Sequence, residues 1–138
     1  MAWMPDDKVD KLELQVRYAD IDSYGHVNNA VYLSYFELAR IEFLKKHLPK
    51  DSVEKLGIVV ARVEVDYLSE IKLGDHVMCE TWISSVGRTS IVFSSLLRKN
   101  DIVAARGKIT MVHVNQHGRP EPLPGYYRDL VAQVPPIT

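Results

Sequence analysis

The stretch Tyr18–Arg40, YADIDSYGHVNNAVYLSYFELAR, changes character once. Asp20, Asp22, His26, Asn28 and Asn29 crowd its first half, and an almost unbroken apolar run follows. From about Asn29 to His47 the chain is rich in Leu, Ala, Phe, Tyr, Glu and Lys and has neither Gly nor Pro before Pro49, which predicts one helix of about five turns. Ala30, Val31, Tyr32, Leu33, Tyr35, Phe36, Leu38 and Ala39 project in nearly every direction around its axis, the pattern of a buried helix. Arg40, Glu42, Lys45 and Lys46 reserve solvent for its carboxy-terminal end.

On either side of this helix the period changes to two. Leu12, Leu14, Val16 and Tyr18 alternate with Glu13, Gln15 and Arg17, so Leu12–Tyr18 reads as a half-buried strand. After a short polar, helix-compatible link at Asp51–Leu56, alternation resumes over Val59–Leu68. Three more strand candidates follow at His76–Val86, Arg88–Arg98 and Ile102–Val114. The intervening LGD, Gly87 and KND are turn chemistry short enough to join antiparallel neighbours. Gly107 marks a bulge or a close approach, and the Pro-rich tail turns helix-compatible over Tyr126–Gln133. One strand, one long helix and four antiparallel strands make an α+β domain, a sheet wrapped around one helix, occupying residues 1–138 as a single unit. One helix covers only one sheet face, so a second subunit is expected on the other face or on an edge.

Composition narrows the function. A length of 138 residues with 46% hydrophobic content supports a real core, and a formal charge of −1 offers no global attraction to nucleic acid or anionic membrane. The amino terminus MAWMPDDKVDK is acidic where a secretory signal is basic, and no apolar run approaches the roughly 20 residues that span a bilayer. The single cysteine, Cys79, has no internal partner and fits a reducing compartment, so the cytoplasm is the expected location.

The polar cluster has two readings. In one, Asp20 and Asp22 follow a strand, Gly25 makes a turn and Asn28 or Asn29 caps the helix. In the other, the helix start presents free N–H donors to a developing oxyanion, Asp22 attacks a carbonyl or activates water, and His26 binds or polarises. The whole stretch resembles the opening of the 4-hydroxybenzoyl-CoA thioesterase-like family of hotdog-fold acyl-CoA thioesterases. The likeness rests on Asp-x-Asp, Gly-His-Val-Asn-Asn and Tyr-x-x-Tyr-Phe-Glu-x-Ala-Arg taken together.

That resemblance implies Asp22 as the catalytic carboxylate, the backbone N–H near Asn29 as oxyanion donor, and His26 as a supporting group. The asparagine that plant acyl-carrier thioesterases place two residues after the aspartate is Tyr24 here. Tyr24, Asn28 and Tyr32 are then substrate-binding candidates around the loop. Arg88, Thr89 and Ser90 are candidates at a hairpin that meets coenzyme A phosphate or pantetheine, with Arg106, Lys108, Arg119 and Arg128 as further cations. Asp20 reads as structural. Glu37, in mid-helix, reads as an ion-pair partner of Arg40 or Arg62, or as a catalytic acid.

Expected, then, is an oligomer, a dimer or a tetramer, that hydrolyses an acyl-CoA or acyl-carrier thioester to free acid and thiol, without a cofactor beyond the coenzyme A of its substrate. No metal is expected, because Asp20, Asp22 and His26 match no strong ligand spacing. Two rivals remain: a hotdog dehydratase or hydratase using His26 and Glu37, and a non-catalytic acyl-CoA-binding module.

Overall fold

The computed structural model describes residues 8–50, 52 and 56–132. Strand β1 (Asp10–Leu14) leads through a short 3-10 turn at Tyr18–Asp20 to helix α1 (Val31–His47). Strands β2 (Ile58–Tyr67), β3 (Val77–Val86), β4 (Ser90–Lys99) and β5 (Ile102–His113) follow, and a 3-10 turn at Gly125–Leu130 comes last. The five strands form one sheet in the order β1-β3-β4-β5-β2, antiparallel at every pairing. The expected sheet wrapped around one long helix is therefore what forms. Of the expected Asp51–Leu56 link, residues 51 and 53–55 lie outside the described residues, as does Gln133 at the end of the expected tail helix. No helix among the described residues is long and apolar enough to cross a membrane.

Helix and sheet meet through one continuous core. Tyr32, Tyr35, Phe36, Ala39, Phe43 and Leu44 recur at three- and four-residue spacing and pack on Cys79, Ile83, Phe93, Leu97, Ile109 and Met111. Gly107 is the close-approach point rather than a bulge. It pairs regularly with Ser95 and Val65, and a Cβ there would meet the Phe36 ring at 2.9 Å. The Lys99–Ile102 pair closes a two-residue turn in which Asn100 (φ 49°) and Asp101 (φ 69°) both adopt the left-handed conformation that these residue types tolerate. A smaller apolar cluster of Val9, Trp82, Leu96 and Ala132 forms elsewhere on the molecule.

Three expectations are corrected. The first strand ends at Leu14, because its partner β3 begins at Val77, opposite Leu14. The chain then closes on itself at Tyr18–Asp20 through bonds between Arg17 and Asp20. The helix begins at Val31 rather than Asn29. Nor is its first half buried all round: Leu33, Ser34, Glu37 and Leu38 form an exposed stripe.

β2 is the other exception to burial. It is an edge strand with a neighbour, among the described residues, only on the β5 side, and Val59, Val60, Val63 and Tyr67 are each at least two-fifths exposed. An apolar edge with unpaired backbone groups is a surface for pairing with another strand.

Candidate active site

Two adjacent hydrogen-bond knots build the loop between β1 and α1. The first centres on Asp20, which is 1% exposed. Its Oδ2 accepts from the Arg17 backbone N–H at 2.9 Å and from the Tyr35 hydroxyl at 2.7 Å, and its Oδ1 accepts from Arg17 Nη2 at 2.9 Å and Nε at 3.2 Å. Burial pushes this carboxyl up, but the Arg17 side chain, the Arg17 N–H and Tyr35 together outweigh it and hold Asp20 below the usual carboxylate range. Tyr35 is shifted upward in turn, by burial first and then by its bond to Asp20. The Asp20 carbonyl also accepts the Asn28 N–H at 2.9 Å, so this knot ties helix, strand end and loop together. Both oxygens are engaged, which makes Asp20 structural.

The second knot centres on Asp22. Its N–H donates to the His26 carbonyl at 2.9 Å and its carbonyl accepts from Gly25 N–H at 3.0 Å. Gly25 has φ +85°, where a side chain is strained. Asp22 Oδ1 accepts from Tyr24 N–H at 2.9 Å and His26 N–H at 3.4 Å, while Oδ2 has no partner among the described residues. The carboxylate is thus held by one oxygen and presents the other.

His26 is oriented by a residue that the sequence reading missed. Its Nε2 lies 2.8 Å from Glu70 Oε2, and no bond joins its ring to Asp22. A carboxylate only accepts, so Glu70 places the ring proton on Nε2 and fixes the imidazole plane. In sequence Glu70 is one more acidic residue past a strand. The only signal was a carboxylate just before LGD, and the Val27 N–H bond to the Ile71 carbonyl at 2.8 Å is what brings it to the loop.

The asparagines act differently from an ordinary cap. The N-cap position is Ala30, in helical conformation and with no side-chain cap bond. Two residues earlier Asn28 takes the role: its Oδ1 accepts Ala30 N–H and its carbonyl accepts Val31 N–H, both at 2.9 Å. The Asn29 N–H has no acceptor among the described residues, while its carbonyl accepts the Tyr67 hydroxyl at 2.9 Å. A free donor at the amino-terminal end of α1 is what an oxyanion needs.

The remaining candidates separate. Tyr32 is buried beside this cluster, with its hydroxyl donating to the Ser69 carbonyl at 3.4 Å, and burial raises its pKa. Tyr24 is 83% exposed on the loop rim. Glu37 is 68% exposed rather than buried; it is Arg40, 3.9 Å away, that the core encloses, while Arg62 pairs with Glu64 at 3.5 Å. The hydratase reading requires a helix acid directed to the site, whereas Glu37 shares the exposed stripe of α1 with Leu33, Ser34 and Leu38.

Arg88, Thr89 and Ser90 form the β3–β4 turn at the opposite end of the sheet from Asp22. Ten-residue β4 separates the two ends, roughly 30 Å at strand rise. Among the further cations, Arg106 lies 3.5 Å from Asp66, and Arg128 Nη2 reaches the Gly87 carbonyl at 3.5 Å. Cys79 is fully buried, and burial pushes its thiol up to about 12, which suits an inert core residue. Among the described residues no group of three or more His, Cys, Asp or Glu is placed to hold a metal ion.

Residues 16–137 match the profile of the Thioesterase-like superfamily. The acyl-CoA thioesterase YbgC of Haemophilus influenzae is 31% identical over 106 residues, covering 74% of this chain and 78% of that protein. The chloroplastic acyl-acyl carrier protein thioesterase ATL3 of Arabidopsis thaliana is 30% identical over 86% of this chain, which spans 65% of its length. A crystal structure of a thioesterase from Thermus thermophilus, complexed with coenzyme A and zinc, superimposes with a TM-score of 0.81 at 42% identity, covering 90% of this chain and 91% of that one.

Proposed function

The chain belongs to the Thioesterase-like superfamily, and from that premise we propose that it hydrolyses acyl-CoA thioesters to free acid and coenzyme A. One observation carries the proposal: a half-engaged Asp22 carboxylate shares a loop with an Asn29 N–H that has no acceptor among the described residues, at the start of a long helix. Asp22 Oδ2 takes a proton from water, or attacks directly, at the thioester carbonyl carbon. The carbonyl oxygen gains the charge and Asn29 N–H receives it. Collapse breaks the C–S bond and releases the thiolate, which takes up a proton; where Asp22 has attacked directly, water then hydrolyses the acyl-aspartyl anhydride to the free acid and restores the carboxylate. His26, held by Glu70, positions the substrate beside the aspartate.

The working unit in this proposal is a homo-oligomer built on β2, in the cytoplasm. Antiparallel pairing of β2 with a second copy sets the partner's Ile58 end beside this chain's Tyr67 end. Ile58 pairs with His113, whose N–H donates to the Thr89 carbonyl. The partner's Arg88, the partner's Thr89 and the partner's Ser90 therefore arrive at this chain's Asp22 end, two strands in from the edge, about 10 Å. The cationic hairpin serves the neighbouring active site rather than its own. Exposed Leu33 and Leu38 on α1, with Val60 and Val63 on β2, are the apolar surface that such an assembly covers.

A thiol-trapping assay over acyl-CoAs of varied chain, aliphatic and aromatic, tests the function, with acyl-carrier-protein thioesters run alongside. Wild type is expected to release coenzyme A, and Asp22→Asn to lose turnover by about 10²-fold or more. No thiol from any acyl chain, or full activity in Asp22→Asn, refutes the proposal. Hydration of an enoyl-CoA without thiol release would assign the site to the rival chemistry.

A further inference from the structure

We infer that Tyr67 is a positioning residue for the oxyanion donor, holding Asn29 from the edge strand so that its N–H faces the scissile carbonyl. This rests on the reading of Asn29 N–H as that donor. A trans peptide points its N–H opposite to its C=O. The Asn28 carbonyl is drawn toward the helix by Val31 N–H, so the Asn29 N–H of the same peptide turns away from the helix. Asn29 itself precedes the helix, which begins at Val31, and so lacks the ladder that fixes residues further along.

The peptide on its other side is held at both ends: its N–H, on Ala30, donates to Asn28 Oδ1 at 2.9 Å, and its carbonyl, on Asn29, accepts the Tyr67 hydroxyl from the edge strand at 2.9 Å. Asn29 is thereby fixed at both flanking peptides, and rotation about its Cα is removed. The Tyr67 ring is braced edge-on by Tyr32, with centroids 5.0 Å apart and planes at 76°, and its backbone pairs with Ala105. The hydroxyl proton is already committed to a carbonyl, so Tyr67 acts through Asn29 and not on substrate.

Packing alone does not account for this residue. A phenylalanine would brace Tyr32 equally well, whereas only the hydroxyl reaches Asn29. Tyr67 also lies on β2, the open edge that the proposed second copy pairs with. Fixing that edge fixes the strand end that carries the hydroxyl, so assembly and oxyanion geometry are coupled through one side chain.

Tyr67→Phe tests the inference, because it deletes one oxygen from a half-exposed ring and leaves the packing intact. Losing an oxyanion donor outright costs about 10²–10³ in rate, and a donor that remains but is loosened should cost about tenfold. Expected is a kcat about tenfold below wild type, with KM within about twofold and oligomeric size and Tm unchanged. A wild-type kcat overturns the inference, and so does a loss confined to KM or one accompanied by dissociation. Wild type and Asp22→Asn run in parallel separate the two levels. If wild type hydrolyses, Asp22→Asn does not and Tyr67→Phe is unimpaired, Tyr67 alone is misassigned. If wild type itself releases no thiol, the donor reading and the Tyr67 inference fall together.

Discussion

Asp20 and Asp22 stand two residues apart in one loop and differ in nearly every physical respect. Asp20 is sealed under Tyr35 and clamped by Arg17 on both oxygens, and its ionised form is stabilised by the contacts that occupy it. Asp22 is tied by one oxygen to its own turn and leaves the other open. A carboxylate saturated with donors is a structural anchor, and one left half-engaged at a helix start is available for chemistry. The 3-10 turn at Tyr18–Asp20 turns the first inward, and the separate turn closed by Gly25 and His26 holds the second at the loop surface.

The contrast can be broken by exchanging the two roles. Asp22→Asn should abolish turnover by about 10²-fold or more while Tm stays within about 2 °C, since one exposed oxygen carries no structural bond. Asp20→Ala should do the reverse. It leaves the Tyr35 hydroxyl and the Arg17 N–H without acceptors, at a cost of about 3 kcal/mol, and calorimetry should show Tm falling by about 10 °C. A folded, fully stable Asp20→Ala protein would show that the knot is dispensable. Glu70→Gln keeps the shape but weakens the grip on His26, and kcat should drop by about fivefold with little change in Tm.

The smallest effect is one of pH. Asp20 is held below its unfolded value, so its contribution is present above the unfolded carboxylate range, about pH 4, and is lost as pH falls through the folded value. Denaturant unfolding of wild type and Asp20→Asn should therefore show a stability gap that is constant near neutrality and narrows below about pH 4. A gap that widens in acid would contradict the assigned direction.

A second contrast, between the two edges of the sheet, bears on the oligomer. Beside β3, the carboxy-terminal segment takes the place beyond the start of β1, where Asp10 faces Thr81, through the Ile83–Val131 bridge and the Ala132 N–H bond to the Ile83 carbonyl at 3.0 Å. Among the described residues β2 has no such cover, and it exposes valines on both faces. β1 is an edge strand too, but only five residues long and with Lys11 and Glu13 exposed, whereas ten-residue β2 offers the longer, apolar edge, which is where Tyr67 lies.

Much of this was legible in the residues. Alternation located β2 through β5 to within one or two positions, because period-two burial and short polar turns are local properties. The helix was legible for the same reason, with Pro49 as its stop. The Asp-x-Asp and Gly-His-Val-Asn-Asn run named the loop and, with the family resemblance, separated Asp22 from Asp20. The end of β1 was not legible, since Gln15–Arg17 alternate correctly but β3 has no residues opposite them. Nor was the exposure of Glu37, because apolar periodicity alone does not distinguish a helix face against solvent from one awaiting a partner.

The sequence by itself determined which elements form and which polar residues collect at the start of the helix, because propensity, patterning and capping act over a few positions. Only the tertiary structure decided what those residues meet. Glu70 reaches His26 and Tyr67 reaches Asn29 across gaps of 44 and 38 residues, and the Arg88 hairpin lies a strand length away from the aspartate it was expected to accompany. Such contacts depend on sheet order and register, which place strand ends beside loops far away in the chain, and no local spacing encodes them.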